Sequence, residues 1–516
     1  MKLILTYILI VFYVFLSAQP NSIFKKHFLS GTQNAYSNGV IETTPNNYIL
    51  IGSSHDTLNG SIQWRLTLAG LDQNGELSWR KSYGNDNFNY SNYLYKPARF
   101  IKKGNFLYAA LLITDSLQKQ GAVLIKFDYN GDTIWQKKYY SPNDELFITE
   151  VTTSVDNGFL LTGAIQTSTP GFNGHPIVGT YLIKTDVNGT KLWEKKIYFP
   201  DLDLVQVGYS VLQDSTSKKI IIAGIQSNST QFSNLLVLDS LGNYIYQNSM
   251  SPTFGSALVS VIKTKDNNYI GVGTMNHPEI IINGIEYARS LLIKFDINGT
   301  IIYKKEFDTS SVVNWFNNIL ELDDGSLITF GIYETLMRQG LGINDINCIM
   351  KIDSNGNLIW KKYFDNYTDN HNQDAMGGMN ITYDGYLIFT NFLSNGFEPA
   401  STPYTFYKTD TSFCDINSIS CYDFTGVEKH EFSERKIKCY PNPAHNYCIV
   451  ALSELDSYKT IIIEIENSIG LILDRISTNT SVNYMLNTSE YQEGMYFITV
   501  SQNNQTIGQQ KLIIVK

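Results

Sequence analysis

Histidine, serine and carboxylate side chains could carry catalysis, but their spacing in this sequence nominates no catalytic group. The patterns that mark a nucleophilic serine, a zinc hydrolase, a phosphate-binding loop or a dinucleotide-binding turn do not occur. The seven histidines are scattered along the chain, at His27, His55, His175, His277, His371, His430 and His445. Most aspartates that can be placed belong to turns, so they nominate no glycosidase pair. No catalytic residue, cofactor or metal site is therefore predicted.

Non-covalent binding is a second chemistry that the sequence offers. Six aromatic or histidine side chains lie in polar segments or beside them, where they could stack on sugar rings or anchor a protein partner. These candidates for ligand binding are Tyr90, Tyr93, Phe172, His175, Trp315 and His371. Packing within their own loops is the alternative role for several of them.

Five cysteines occur, and four of them cluster in the last quarter of the chain. Cys348 lies in the apolar segment CIMKID, which predicts a buried free thiol. The other four are candidates for disulfides in an exported chain: Cys414, Cys421, Cys439 and Cys448. Local pairing, the first with the second and the third with the fourth, is favoured among the three connectivities that four cysteines allow.

A repeat supplies the elements that must position these side chains. The segment FDINGTIIYKKEF and five relatives of it recur, and their aspartates stand 53 to 58 residues apart, at Asp72, Asp128, Asp186, Asp239, Asp296 and Asp353. A polar turn followed by a short apolar strand recurs seven times, beginning at Pro45, Lys103, Asp156, Ser217, Asp266, Asp324 and Asp384. Each repeat therefore offers four short strands with tight turns. This pattern predicts the four-stranded blades of a β-propeller.

One repeat is divided between the two ends of the chain. A further period after Asp353 ends at Asp410 in the segment FYKTD, where the motif stops. Its missing half, an aromatic residue followed by two lysines, stands near the opposite end as IFKKHF, at residues 23–28. The sequence therefore predicts an all-β protein: a seven-bladed β-propeller, closed by pairing of its N- and C-terminal segments, and then a small C-terminal β-sandwich.

The Asp-x-Asn-Gly segment has a structural role that needs no ligand. Its aspartate can bond the turn backbone and its glycine can take a positive φ, as a tight hairpin requires. The Trp or Tyr four residues after the glycine is predicted to pack against a neighbouring blade. The resulting D-x-N-G-x-x-x-W pattern resembles the repeat of quinoprotein-type propellers and is also similar in period to kelch-like repeats. That resemblance implies the fold alone, because no ligand set for a quinone is present.

Strand direction separates two kinds of loop. In a four-stranded antiparallel blade, the first-to-second and third-to-fourth turns share one end, and the other loops and the connections between blades share the opposite end. The first kind is short and uniform, whereas the second is long and varied, as in GNDNFNYSNYLYK after Tyr83. Function commonly resides in such loops, so the six candidate side chains are predicted to form a ligand-binding face at this end.

Composition and charge restrict the class of protein. With 43% hydrophobic and 17% charged residues the chain is globular. Its net charge of −9 argues against nucleic acid as a partner. Residues 3–16 form an uncharged apolar run behind Lys2, and small residues follow it, which predicts a signal peptide over residues 1–18. No later run is long enough to span a bilayer, so the mature chain is predicted to have no transmembrane segment.

The last 80 residues have a different character from the repeats. They open with Y-P-N-P-A, continue through a turn and a G-x-Y-F strand, and end in an apolar tail; the motif residues are Tyr440, Pro441, Asn442, Pro443, Ala444, Asn467, Gly470, Gly494, Tyr496, Phe497 and Lys511. This segment resembles the type A C-terminal sorting domain of proteins exported by the type IX secretion system. The resemblance implies that the secretion machinery is a partner and that the protein reaches the outer-membrane surface or the extracellular space. A general β-sandwich adhesion domain is the alternative.

These patterns define an expected organisation and function. Residues 1–18 are the signal peptide, 19–410 the propeller, 411–436 a linker and 437–516 the sorting domain. The favoured function is a secreted or surface-bound binding or adhesion protein, whose ligand is a glycan or a protein. The alternative is an extracellular enzyme that degrades polysaccharide or protein on the long-loop face of the propeller.

Overall fold

The computed structural model consists of strands and divides into two compact units, Met1–Asp423 and Phe424–Lys516. The residues that it describes contain no helix. They are 24–28, 36–58, 61–84, 88–91, 100–170, 176–198, 205–227, 231–251, 255–282, 285–307, 313–336, 343–364, 372–395, 404–411, 438–451, 461–467, 472–478, 483–502 and 505–516.

Consecutive strands of the first unit pair antiparallel, mostly in sets of four. The first set is β2 (Tyr36–Thr44), β3 (Asn47–Leu58), β4 (Ser61–Leu71) and β5 (Leu77–Tyr83). In the second, β6 (Phe88–Ser91) and β7 (Phe100–Lys103) both pair with β8 (Phe106–Asp115), which is followed by β9 (Gln120–Phe127) and β10 (Thr133–Tyr139). The third is β11 (Glu145–Thr153), β12 (Phe159–Pro170), β13 (Pro176–Thr185) and β14 (Lys191–Ile197).

The later sets repeat this order of strands. They are β15 (Val205–Gln213), β16 (Ile220–Ser227), β17 (Gln231–Leu238) and β18 (Tyr244–Ser251); β19 (Ser256–Lys263), β20 (Tyr269–Ile282), β21 (Ile285–Phe295) and β22 (Ile301–Phe307); and β23 (Val313–Glu321), β24 (Leu327–Leu336), β25 (Ile343–Ile352) and β26 (Leu358–Phe364). Single parallel bridges, Ala288 with Val313 and Asp345 with Gln373, join neighbouring sets.

The last set takes one strand from the other end of the chain. It contains β27 (Asn372–Ile381), β28 (Leu387–Asn395), β29 (Tyr404–Thr409) and β1 (Phe24–Phe28). The β1 strand runs antiparallel to β29 over five residue pairs, from Phe24 opposite Lys408 to Phe28 opposite Tyr404. It therefore occupies the outer position that β5, β10 and β14 hold in earlier sets.

The hairpin between the third and fourth strands of a set is built by its aspartate. Asp72 Oδ1 accepts hydrogen bonds from the backbone N–H groups of Asn74 at 2.9 Å and Glu76 at 2.8 Å. Gly75 has a φ of 73°, a conformation that favours glycine. The same pair of backbone bonds recurs at the equivalent aspartates, Asp128, Asp186, Asp239, Asp296 and Asp353. These turns therefore have the chemistry that their sequence predicts.

Hydrophobic clusters fill the spaces between consecutive sheets. One cluster, for example, joins Leu160 and Leu182 of the third set to Ile222 and Leu236 of the fourth. The aromatic residue of an outer strand also lies against the glycine of the next turn, so that a Cβ at Gly131 would stand 2.7 Å from the Trp79 ring. Equivalent contacts are Trp135 with Gly189, Trp193 with Gly242, Tyr246 with Gly299, Tyr303 with Gly356, and Phe24 with Gly75.

The second unit has two sheets around one core. The first sheet pairs β30 (Lys438–Tyr440), β31 (Tyr447–Ala451) and β34 (Asn483–Asn487), in that order. The second has the order β33 (Ile472–Thr478), β32 (Ile461–Asn467), β35 (Gly494–Gln502) and β36 (Gln505–Ile514). Alternate residues of both sheets, such as Val450, Ile463 and Ile498, are fully buried and form a common core.

Candidate functional site

The described candidates for ligand binding lie in separate sheets. Tyr90 is buried in the cluster between the first and second sets, and its hydroxyl donates to Gln136 Oε1 at 3.3 Å. Burial raises the pKa of Tyr90. Trp315 is half-buried near the start of β23. The other four candidates, Tyr93, Phe172, His175 and His371, lie outside the described residues.

Buried amide side chains with unused hydrogen-bonding atoms lie toward the long-loop end of the sheets. Among the described residues, both amide atoms of Asn314, Oδ1 of Asn234 and Oε1 of Gln206 are buried without a hydrogen-bond partner. Gln206 uses only its Nε2, which donates to Gln247 Oε1 at 3.3 Å. Buried polar atoms are normally hydrogen-bonded, and leaving one unpaired costs about 1–3 kcal/mol. Such atoms occur where protein interiors hold ordered water or the polar groups of a ligand.

Several described carboxylates of the first unit bind structural partners, as Asp72 binds its turn and Asp384 binds Lys408. In the part of the chain that is described, no three His, Cys, Asp or Glu side chains are grouped as a metal site would require.

No helix that could span a membrane occurs among the described residues.

A repeated lysine-to-aspartate contact is a feature that the sequence motifs do not reveal. Lys184 lies 2.6 Å from Asp156, and Lys294 lies 2.6 Å from Asp266. Lys408 lies 2.8 Å from Asp384. Each of these lysines stands two positions before a repeat aspartate or its equivalent, in LIKTD, LIKFD and FYKTD. This spacing could have revealed them, but a lysine in an apolar strand gives no indication of its partner.

The Y-P-N-P-A segment of the second unit is hydrogen-bonded to the C-terminal strand, β36, and to the residue after it. Asn442 Nδ2 donates to the Lys511 carbonyl at 2.7 Å, and its Oδ1 accepts from the Ile513 N–H at 2.9 Å. Ala444 is buried, donates its N–H to the Ile513 carbonyl at 2.8 Å and accepts from the Val515 N–H at 2.9 Å. The Y-P-N-P-A segment and the C-terminal strand thus form one hydrogen-bonded structure, although Ala444 and Lys511 are 67 residues apart in the sequence.

The other predicted sorting residues belong to the sheet beside this unit. Asn467 ends β32 opposite Tyr496, whose hydroxyl donates to the Gln492 carbonyl at 2.7 Å. Phe497 stands opposite Lys511 on β36, and Gly494 begins β35. Gly470 lies outside the described residues.

The predicted disulfide between Cys439 and Cys448 is wrong for this structure. Both thiols are free and buried. The neighbouring Cys448 thiol and burial raise the pKa of Cys439. Cys439 stands opposite Val450, so Cys448 is its diagonal neighbour across the strand pair. Diagonal Cα atoms are about 7–8 Å apart, beyond the ~4.4–6.8 Å that a disulfide needs. Cys414 and Cys421 lie outside the described residues, and Cys348 is buried and forms no disulfide, as the sequence predicts.

Four-stranded antiparallel sheets that follow one another along the chain and pack on their neighbours give the first unit a β-propeller fold. Residues 438–515 match the family described as the secretion system C-terminal sorting domain. The protein is therefore exported by the type IX secretion system to the cell surface or the extracellular space, and its C-terminal domain interacts with that machinery.

Solved structures that resemble the chain include β-propellers. The β-propeller domain of the Trilobed protease from Pyrococcus furiosus is 10% identical, with a TM-score of 0.40, covering 74% of this chain and 98% of that one. Drosophila Semaphorin 1a, extracellular domains 1-2, is 10% identical, with a TM-score of 0.38, covering 73% and 86%. Puromycin hydrolase is 8% identical, with a TM-score of 0.36, covering 70% and 59%. No curated protein matches the sequence.

Proposed function

We propose that the first unit is a closed seven-bladed β-propeller over residues 19–410, between a signal peptide at 1–18 and a linker at 411–436, with the sorting domain at 437–516. The pairing of β1 with β29 supports closure, because it adds a strand from the start of the chain to the last sheet. Val40 and Leu50 of the first set form one cluster with Ile388 and Phe406 of the last set. The contact of Phe24 with Gly75 also repeats the contacts between consecutive sheets.

We propose that this propeller is a surface or secreted binding protein that holds a glycan at its long-loop end. The observation that carries the proposal is the set of buried amides with free hydrogen-bonding atoms, Gln206, Asn234 and Asn314. An amide both donates and accepts hydrogen bonds, as the hydroxyl groups of a sugar do. Trp315 lies at the same end of β23 as Asn314 and offers a half-buried ring for stacking.

Ligand and substrate screening of the purified chain without its signal peptide tests this function. We expect binding on a glycan array with no release of reducing ends from the bound polysaccharide. Trp315→Ala should weaken glycan binding by roughly three- to tenfold, the value of a lost aromatic contact. Leu358→Ala, at an exposed position near the short turns, should leave binding unchanged. Binding to proteins alone would refute the proposal that the ligand is a glycan. Release of reducing ends would identify the chain as a polysaccharide-degrading enzyme.

A further inference from the structure

The sheet of β30, β31 and β34 in the sorting domain has an outward face that is rich in exposed apolar and aromatic side chains and nearly uncharged. Strand alternation turns Cys439, Cys448, Val450 and Leu486 into the core. On the opposite face Tyr440, Ile449 and Met485 stand side by side in one row across the three strands. Tyr447 lies on the same face of β31.

The side chains of this face are open to solvent to an unusual extent for their type. Tyr440 is 45% exposed, Tyr447 50% and Met485 69%. Lys438, the first residue of β30, is the single charged residue on this face of the three described strands, and Asn483 and Asn487 of β34 add two exposed amides at its edges. Tyrosine and methionine are enriched at protein interfaces and charged residues are depleted there, so this composition is that of an interface core.

The outward face of the second sheet is different in charge. Glu464 and Arg475 form an ion pair there with a distance of 3.2 Å. Glu466, Phe497 and Lys511 stand in one row across β32, β35 and β36, so that both charge signs flank the aromatic ring. A face of this kind is compatible with permanent exposure to water. The two faces of the domain therefore differ in what they can contact.

We propose that the face formed by Tyr440, Tyr447, Ile449 and Met485 is the surface by which the sorting domain docks on the protein machinery of the type IX secretion system. The occupant follows from the export role of the domain, on which this inference rests, and from continuity with the Y-P-N-P-A segment. Tyr440 is the last residue of β30 and the first residue of that segment. The three residues after it are exposed, and Asn442 holds them to the C-terminal strand.

Charge substitutions on the two faces test this docking surface. The full chain would be produced in a bacterium with an active type IX system, and the protein at the surface and in the medium would be compared with the protein retained in the periplasm. We expect Tyr447→Lys and Met485→Lys to lower export at least tenfold. Leu473→Lys on the second sheet and Leu358→Lys on the propeller, both at exposed apolar positions, are matched controls that should export like the wild type.

Two further variants separate docking from folding. Met485→Gln keeps the length of the side chain and removes its apolar character, and we expect it to lower export with no change in the melting temperature of the purified chain. Tyr447→Phe keeps the apolar ring, and it should retain export. Normal export of Met485→Lys and Met485→Gln would overturn the proposal, as would an equal loss of export in the controls. Glycan binding by the purified chain should be the same in all variants, which distinguishes this test from that of the binding function.

Discussion

Lysines buried within the sheets of the propeller are held by charged and aromatic partners. The side chain of Lys408 is 1% exposed, and its Nζ donates to Asp384 Oδ2 at 2.8 Å and to Asn46 Oδ1 at 3.2 Å. The rings of Tyr48 and Tyr386 lie 5.6 Å and 5.2 Å from the same nitrogen. A buried ammonium is tolerated only when it is paired in this way. Because Asn46 belongs to the turn after β2, this lysine also joins the last sheet to the first.

Removing this lysine should destabilise the propeller. Lys408→Met leaves the Asp384 carboxylate without its partner and should lower the free energy of unfolding by about 2–4 kcal/mol, less than for a wholly buried pair because Asp384 is partly exposed. Denaturant unfolding followed by tryptophan fluorescence measures this, since all six tryptophans precede residue 411. Lys81→Met, which breaks an exposed pair with Asp132, is the control and should cost less than about 1 kcal/mol. Equal effects would contradict the role of the buried pair.

The ion pair of Lys408 and Asp384 also makes the stability of the propeller depend on pH in the acid range. Burial alone would raise the pKa of Asp384, but hydrogen bonds from Lys408 and Thr382 lower it below its usual value. A carboxyl whose pKa is lower in the folded state stabilises that state fully above the unfolded value of about 3.9, and this stabilisation is lost as the pH falls through the folded value. Asp384→Asn should therefore lose less stability than the wild type between pH 7 and pH 3. An identical loss in both proteins would show that this carboxyl does not contribute.

The hairpin turns connect the outer strands of each sheet and also support the next sheet. Gly131 combines a φ of 81° with the Trp79 ring against its Cα. Gly385 has a φ of 80°, but no atom lies within 4 Å of the position that a Cβ would take. A comparison of Gly131 with Gly385 therefore separates the conformational role of a turn glycine from its role in packing between sheets.

Alanine substitutions at these two glycines should differ in their cost. Both force a side chain into the left-handed region, at about 1–2 kcal/mol. Gly131→Ala must also displace the Trp79 ring, and it should cost about 1–3 kcal/mol more than Gly385→Ala. Denaturant unfolding followed by fluorescence compares the two. Equal costs would mean that the ring moves away freely and that the contact does not join the sheets.

The sequence predicts the repeated elements well because their determinants are local. The Asp72 turn and the Trp79 contact depend on residues within one period, so each copy of the motif carries the same information. The position of Tyr90 could not be predicted, because it depends on which space between two sheets a strand outside the repeat pattern fills. The sequence also could not predict whether Cys439 and Cys448 form a disulfide, because this depends on the register in which β30 pairs with β31.

The proposed ring of sheets depends on one short strand, β1. Phe24 packs on Phe406 and Tyr48, with ring centroids 5.2 Å and 6.1 Å apart, so a residue near the start of the chain contacts both the last and the first sheet. Lys26 forms an ion pair with Glu76 of the first set. Without β1 the last sheet would have three strands, with β29 as an unprotected edge. Closure would then depend on the contacts of the inner strands alone.

Hydrogen–deuterium exchange tests the ring most directly, by comparing the mature chain with one that lacks residues 19–28. We expect the β29 amides to exchange about 100-fold faster in the shortened chain, β2 and β3 to lose part of their protection, and β11 to β14 to keep theirs. Equal protection of β29 in the two chains would show that β1 does not pair with it, and would contradict a propeller closed by its two ends.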